Sequence, residues 1–352
     1  MSGIEKLVDG AEICICAGAG GVGKTSTSAA IALGAAQRGR KAVVLTIDPA
    51  KRLANALGLE RLGNEPRRVP GVAGDGELWA MMLDAKRTFD ELVETYASDA
   101  RRRDAVLSNR IYQELSSAVS GSQEYMAMEK LYELHMDGGF DLLVLDTPPT
   151  RNALDFLDAP ERLHRFIDSR SLRFFLSPGL KLLGRGSGLM FAVLQRVTGV
   201  DLLRDLSDFF QSFGDMSEGF RARAERVNEL LASDAATFVL VASPRRDAID
   251  DAIFFHDQLE ERGMPFGGAV VNRFHDSRGG EDIDLEAELG AELAAKVAAT
   301  FTDYEALADR DRSNLRRLTK RLSGEPVVVV PELDGDVHDL EGLAEMVAHL
   351  YP

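Results

Sequence analysis

The sequence predicts an α/β protein: a doubly wound, mostly parallel sheet with an inserted helical subdomain. Three observations carry this. Short apolar runs rich in β-branched residues recur between helix-like stretches, a glycine-rich turn separates the first run from the first helix, and one long stretch lacks a strand pattern. Apolar runs without polar alternation are buried on both faces, as a parallel sheet covered by helices on both sides requires.

The first run, Ile13 to Cys16, leads into AGAGGVGKTS at Ala17 to Ser26, followed by a helix-like stretch from Ser26 to Gln37. The segment fits the phosphate-loop pattern G-x-x-x-x-G-K-[ST], with Gly18, Gly23, Lys24 and Thr25 in place. Glycines let successive backbone N–H groups turn inward around phosphate oxygens, and the helix N-terminus adds positive dipole. Lys24 supplies a point charge near the terminal phosphates, and the Thr25 hydroxyl is a candidate ligand for Mg²⁺. Strand, loop and helix in this order predict a P-loop NTPase core that binds a nucleotide.

Further strands are expected at Lys41–Thr46, Leu78–Leu83, Leu142–Leu145, Thr237–Ala242, Gly268–Val271 and Val327–Val330. In open parallel sheets, ligands bind at the carboxyl ends of the strands. Those ends carry Asp48 and Pro49, Asp146 with Thr147, Pro148 and Pro149, then Ser243 and Pro244, Asn272, and Pro331. LLVLD at Leu142–Asp146 is a buried strand ending in a carboxylate, placed to hold Mg²⁺ directly or through a coordinated water. Thr147–Thr150, which follows, is placed to sense the γ-phosphate. Asp48 has two readings at this level: a carboxylate that orients or deprotonates the attacking water, or a helix N-cap.

Between Ala159 and Ala232 the pattern turns helical, with Phe174, Phe175, Phe191, Phe209 and Phe210 among its large apolar residues. The expected organisation is a core half at 1–158, a helical insertion at 159–235 and a second core half at 236–352. Within residues 161–200 basic residues outnumber acidic ones, although the chain of 352 residues carries a formal charge of −16. A basic, apolar segment suits a hydrophobic or membrane-protein client, or peripheral contact with a membrane surface. An ordinary helical layer packed on the core explains the pattern equally well.

The overall acidity argues against nucleic acid as a partner, because such a surface repels the phosphate backbone. The N-terminal residues lack a signal-peptide pattern and no run of about 18 apolar residues occurs, so a cytoplasmic protein is expected. The two cysteines, Cys14 and Cys16, alternate along the first strand and read as small core residues. The six histidines form no local ligand cluster.

GAGGVGKT at 18–25, TIDPAKRLANAL at 46–57, LDTPPTRNALDFLDAP at 145–160 and VVNRF at 270–274 together resemble the ArsA-type ATPase family. That family includes arsenite-pump ATPases and ATPases that guide tail-anchored membrane proteins, within a larger group that contains MinD. The resemblance runs to PELDGDVHDLEGL at 331–343. It implies that Gly20, Gly21, Gly23, Lys24, Thr25 and Ser26 wrap the phosphates and Mg²⁺ of ATP, and that Asp48 polarises the hydrolytic water. Asp146 would support the metal, Asn272 would read adenine, and Pro331 would flank the base. It further implies a dimer, and an ATP-driven switch that acts on a client.

Three features depart from the family pattern. The position after the first loop glycine usually holds a lysine that reaches across a dimer to the partner's nucleotide; here it is Ala19. Three explanations stand: substitution by Lys51, Arg52 or Arg151, a related subunit in a heterodimer that supplies the lysine, or slow hydrolysis. Thiolate arsenite capture and a zinc-binding CxxC pair have no candidates in this chain either. Two other functional classes remain: a metabolic P-loop phosphotransferase or ligase-type activator, and a nucleotide-binding scaffold or partitioning protein with little turnover. The apolar insertion leans against the first, since an acceptor pocket needs polar groups beside the γ-phosphate.

Overall fold

The structure is a computed structural model that describes residues 3–8, 10–48, 52–110, 112–113, 122–148, 158, 216–277, 285–333, 335, 337 and 339–352. The first half of the chain contributes α1 (Glu5–Val8), β1 (Ile13–Ala17), α2 (Lys24–Gln37), β2 (Lys41–Thr46), α3 (Arg52–Ala56), β3 (Arg67–Arg68), β4 (Glu77–Met82), α4 (Ala85–Tyr96), α5 (Ala100–Leu107), α6 (Ser122–Met136) and β5 (Leu142–Asp146). Then follow α7 (Ser217–Leu231), β6 (Ala236–Ala242), α8 (Arg246–Glu261), β7 (Phe266–Phe274), α9 (Leu285–Leu289), α10 (Ala291–Arg321), β8 (Val327–Pro331) and α11 (Leu340–Leu350).

The chain divides into two compact units: Met1–Met81, Gly138–Ala153 and Ala232–Pro352 form one, Met82–Asp137 and Leu154–Leu231 the other. The first unit is built on an eight-stranded sheet in the order β3-β4-β2-β5-β1-β6-β7-β8. β1 pairs in parallel with β5 and β6, β5 with β2, β6 with β7, and β7 with β8. Every residue of β1, β5 and β6 is buried, which explains why these strands read as unbroken apolar runs. The edge strand β3 is only two residues long and antiparallel to β4, too short to leave a pattern in the sequence.

Chain order reverses direction around β1, between β5 on one side and β6 on the other. A crevice at the carboxyl ends of the strands follows from that reversal, and the phosphate loop opens into it. Behind the loop, α2 is rich in alanine and buried on nearly all sides, so its small side chains let it lie close against the sheet. Cys14 and Cys16 are free and buried, and the hydrogen bond with Cys16, together with burial, holds the Cys14 thiol well above its ordinary range.

The second unit, as described, is helical. Asp84 caps α4 by accepting a hydrogen bond from Arg87 N at 3.0 Å, and Asp99 caps α5 through Arg102 N at 2.9 Å. Its core is aromatic: Phe89 stacks on Tyr112 with centroids 5.5 Å apart and meets Phe220 at 5.8 Å. Buried Glu129 takes a 2.6 Å hydrogen bond from Arg223, yet burial still raises its pKa. Of the insertion expected at 159–235 as the client-facing part, residues 159–215 lie outside the described residues.

Candidate functional site

The phosphate loop keeps its shape through close backbone approaches. A Cβ at Gly18 would sit 2.0 Å from the carbonyl oxygen of Val241 in β6, and one at Gly23, where φ is 92°, would meet Asn272 Nδ2 at 2.2 Å. These positions need glycine for space, and Gly23 also for its left-handed backbone. Lys24 is buried, and its Nζ donates to the carbonyls of Gly18 at 2.9 Å and Ala19 at 2.8 Å. An ammonium has three donors, so one remains for a phosphate oxygen. Desolvation lowers the Lys24 pKa. The helix that follows starts at Lys24, two residues earlier than the sequence pattern indicates, with no side-chain cap and no acidic residue in its first turn. Its first N–H groups are therefore available to an anion.

Beside the loop, four residues from the ends of two strands, β2 and β5, and from the helix form one hydrogen-bonded chain. Asp146 Oδ2 accepts from Thr25 Oγ1 at 2.7 Å and from Thr46 Oγ1 at 2.9 Å, and Thr46 Oγ1 in turn accepts from Asp48 N at 3.2 Å. Asp146 Oδ1 is buried with no protein hydrogen-bond partner among the described residues. An orphaned carboxylate oxygen next to a threonine hydroxyl is an all-oxygen donor set of the kind a hard divalent cation takes, so the residues fit Mg²⁺. Thr147 Oγ1 donates to Cys16 O at 2.8 Å, which ties the start of the segment after β5 back to β1.

Burial raises the pKa of Asp146 from 3.8 to about 6, against the opposing pull of the two threonine hydroxyls and Lys24. A raised carboxylate pKa favours the protonated native state, so this group's contribution to stability is complete at low pH and is lost as pH rises through about 6. The rise corresponds to about 3 kcal/mol. In urea unfolding of the nucleotide-free protein, Asp146→Asn therefore gains stability relative to the parent between pH 4 and pH 7, by up to that amount. A difference that stays flat across this range contradicts the assignment.

A cavity of about 700 Å³ gathers most of the residues the sequence singles out: Gly21, Gly23, Lys24, Thr25, Ser26, Asp48, Asp146, Asn272 and Pro331. Gly20 instead lines a neighbouring cavity of about 590 Å³ on the outer side of the loop, together with Ala19. Asn272 is held by donating to Val22 O at 3.0 Å, which leaves its carbonyl and second amide hydrogen for a base edge. Arg52, one of the substitutes considered for the missing lysine, lines the cavity and pairs with Asp48 at 3.7 Å. Its side chain is largely exposed, so that pair contributes little to stability. Lys51 and Arg151 lie outside the described residues, as do Pro49, Pro149 and Thr150.

Sequence reasoning assigned no role to Thr46, Arg273, Glu332 or Leu333, all of which belong to this cluster or cavity. Thr46 had one available signal, its place at a strand end two residues before Asp48. Nothing local distinguishes the others, because the chain reaches the site there only through the pairing of β7 with β8.

A phosphate loop on a parallel sheet, facing a strand-end aspartate, defines a P-loop nucleotide-binding protein. Residues 11–308 match the family model of the anion-transporting ATPases of the ArsA type. The chain is 30% identical to ATPase GET3 of Malassezia globosa over 73% of this chain and 71% of that protein. It is also 30% identical to ATPase get3 of Schizosaccharomyces pombe over 64% and 61% of the two chains. With a Halobacterium salinarum protein whose name is that of an arsenical pump-driving ATPase, identity is 30% over 85% of this chain and 45% of that protein. The chain belongs to the ArsA-type ATPase family and is a nucleotide-binding ATPase.

Proposed function

We propose that this protein is a Mg²⁺-ATP-dependent switch whose hydrolysis cycle drives the binding, targeting or release of a hydrophobic client. The observation that carries the reading is the hydrogen-bonded chain Thr25–Asp146–Thr46–Asp48, which joins the phosphate loop to the strand ends that lead into both candidate switches. In this reading Gly21, Gly23, Lys24 and Ser26 hold the phosphates, Thr25 and Asp146 hold Mg²⁺, and Asp48 orients the attacking water. Asn272 reads adenine and Pro331 flanks the base. Mg²⁺, when bound, would neutralise charge on the phosphate oxygens. Residues after Asp48 and Asp146 then register the presence of the γ-phosphate, as switch segments do.

The protein pairs, in this proposal, with another ATPase subunit, either a second copy or a relative that brings the lysine absent at Ala19. The family resemblance supports a membrane-helix client, as does a described surface: Leu293, Val297 and Phe301 recur every four residues along α10 and are all exposed. Exposed apolar stripes of this spacing are used to bind partners. A cytoplasmic setting follows from the resemblance; among the described residues, no helix is long and apolar enough to cross a membrane.

The test uses Asp48→Asn loaded with Mg²⁺-ATP and a detergent-free fluorescent peptide of about 20 apolar residues, the length of a bilayer-spanning helix. Capture with ATP that is at least tenfold stronger than with ADP is the expected result. Equal capture with either nucleotide, or none, contradicts the switch.

A further inference from the structure

Arg273 stands in a backbone conformation that an arginine rarely adopts, with φ at 61°. Such a conformation is strained and persists where its surroundings enforce it, often at ligand sites. The enforcing feature is a bulge. Val271 pairs with Val329 and Phe274 with Pro331, so three steps along β7 match two along β8. Consecutive residues of a regular strand point to opposite faces, whereas a bulge re-aims one of them. The consequence is that Asn272 and Arg273, neighbours in sequence, both line the nucleotide cavity.

Arg273 also lines the neighbouring cavity, so that it shares with Gly21 and Glu332 the ridge between the two. That second cavity is the one lined by Ala19, where the loop lacks a cation. Two further arginines line it, and both are engaged: Arg245 pairs with Asp247 at 2.8 Å and Arg310 with Asp311 at 2.8 Å. Arg273 is exposed, and its guanidinium makes no hydrogen bond or ion pair among the described residues. A guanidinium at that ridge would also offset the negative charge of Glu332 toward an incoming anion.

We infer that Arg273 is a nucleotide-binding residue whose guanidinium contacts the phosphate chain and provides the charge that Ala19 withholds. This rests on the reading that the cavity beside Lys24 holds ATP. The strain is then retained because relieving it would turn the guanidinium away from the phosphates. An arginine fork suits phosphate oxygens, and one charge-assisted contact is worth about a tenfold change in affinity or more.

The test measures the affinity of the full chain for Mg²⁺-ATP, Mg²⁺-ADP and adenosine, by competition with a fluorescent ADP, together with thermal unfolding. Arg273→Gly removes the charge and relieves the backbone, since glycine accepts this φ without cost. It is expected to unfold at the same temperature as the parent or higher, yet to bind ATP and ADP at least tenfold more weakly, with adenosine changed less than twofold. Arg273→Lys, which keeps the charge, is expected to recover at least half of the loss on a logarithmic scale. Binding of ATP and ADP by Arg273→Gly within twofold of the parent overturns the inference, as does an equal loss for adenosine. A parent protein that binds no nucleotide overturns the site reading itself, and the inference with it.

Discussion

Asp48→Asn lowers ATP turnover by about 10² to 10⁴, the usual contribution of a positioned general base, while Mg²⁺-ATP affinity stays within about threefold of the parent. Asp48 lies two residues beyond the end of β2 and lines the nucleotide cavity, and its backbone N–H is fixed on Thr46 Oγ1 at 3.2 Å. Asparagine matches its shape but cannot take a proton. The substitution also separates the two readings the sequence leaves open. Asparagine caps a helix as well as aspartate does, so an N-cap role predicts nearly unchanged turnover and stability. Phosphate release under saturating ATP, set beside calorimetric titration, distinguishes them. Turnover within threefold of the parent would remove Asp48 from the chemistry.

Lys24→Ala weakens Mg²⁺-ATP binding by about 10- to 150-fold, which corresponds to the 1.5–3 kcal/mol of a hydrogen bond to a charged group. Two of its three donors already hold the carbonyls of Gly18 and Ala19, so the same ammonium shapes the loop and faces the ligand. Lys24→Arg is expected to fail as well, because a planar fork cannot replace a compact ammonium between two carbonyls and a phosphate. Titration of each variant with ATP and ADP checks this. Affinity unchanged in Lys24→Ala would show that the loop does not use this charge.

Much of this site was legible because its parts are local in sequence. The phosphate loop is one contiguous segment, and Asp48 and Asp146 each end an apolar run that a buried parallel strand produces. The strand pairings could not be read from any segment alone, yet they decide which residues meet. Thr46 reaches Asp146 only because β2 and β5 are adjacent, where these two residues are register partners. Arg273 reaches the cavity only because β7 carries one residue more than β8 at that point. A bulge of one residue has no signature in periodicity, and a valine-rich strand reads the same with or without it. Gly20 illustrates the same limit within the loop, since motif spacing does not say which side of a turn a backbone unit faces.

As a switch, the protein registers the γ-phosphate beyond the cavity, in residues 159–215. Hydrogen exchange followed by mass spectrometry on Asp48→Asn, with Mg²⁺-ATP against Mg²⁺-ADP, tests this most directly. The predicted result is that ATP, relative to ADP, slows exchange in 46–57 and 145–158 and alters it in 159–215. Protection confined to residues 18–26 and 270–274, with 159–215 identical in both nucleotides, would contradict it.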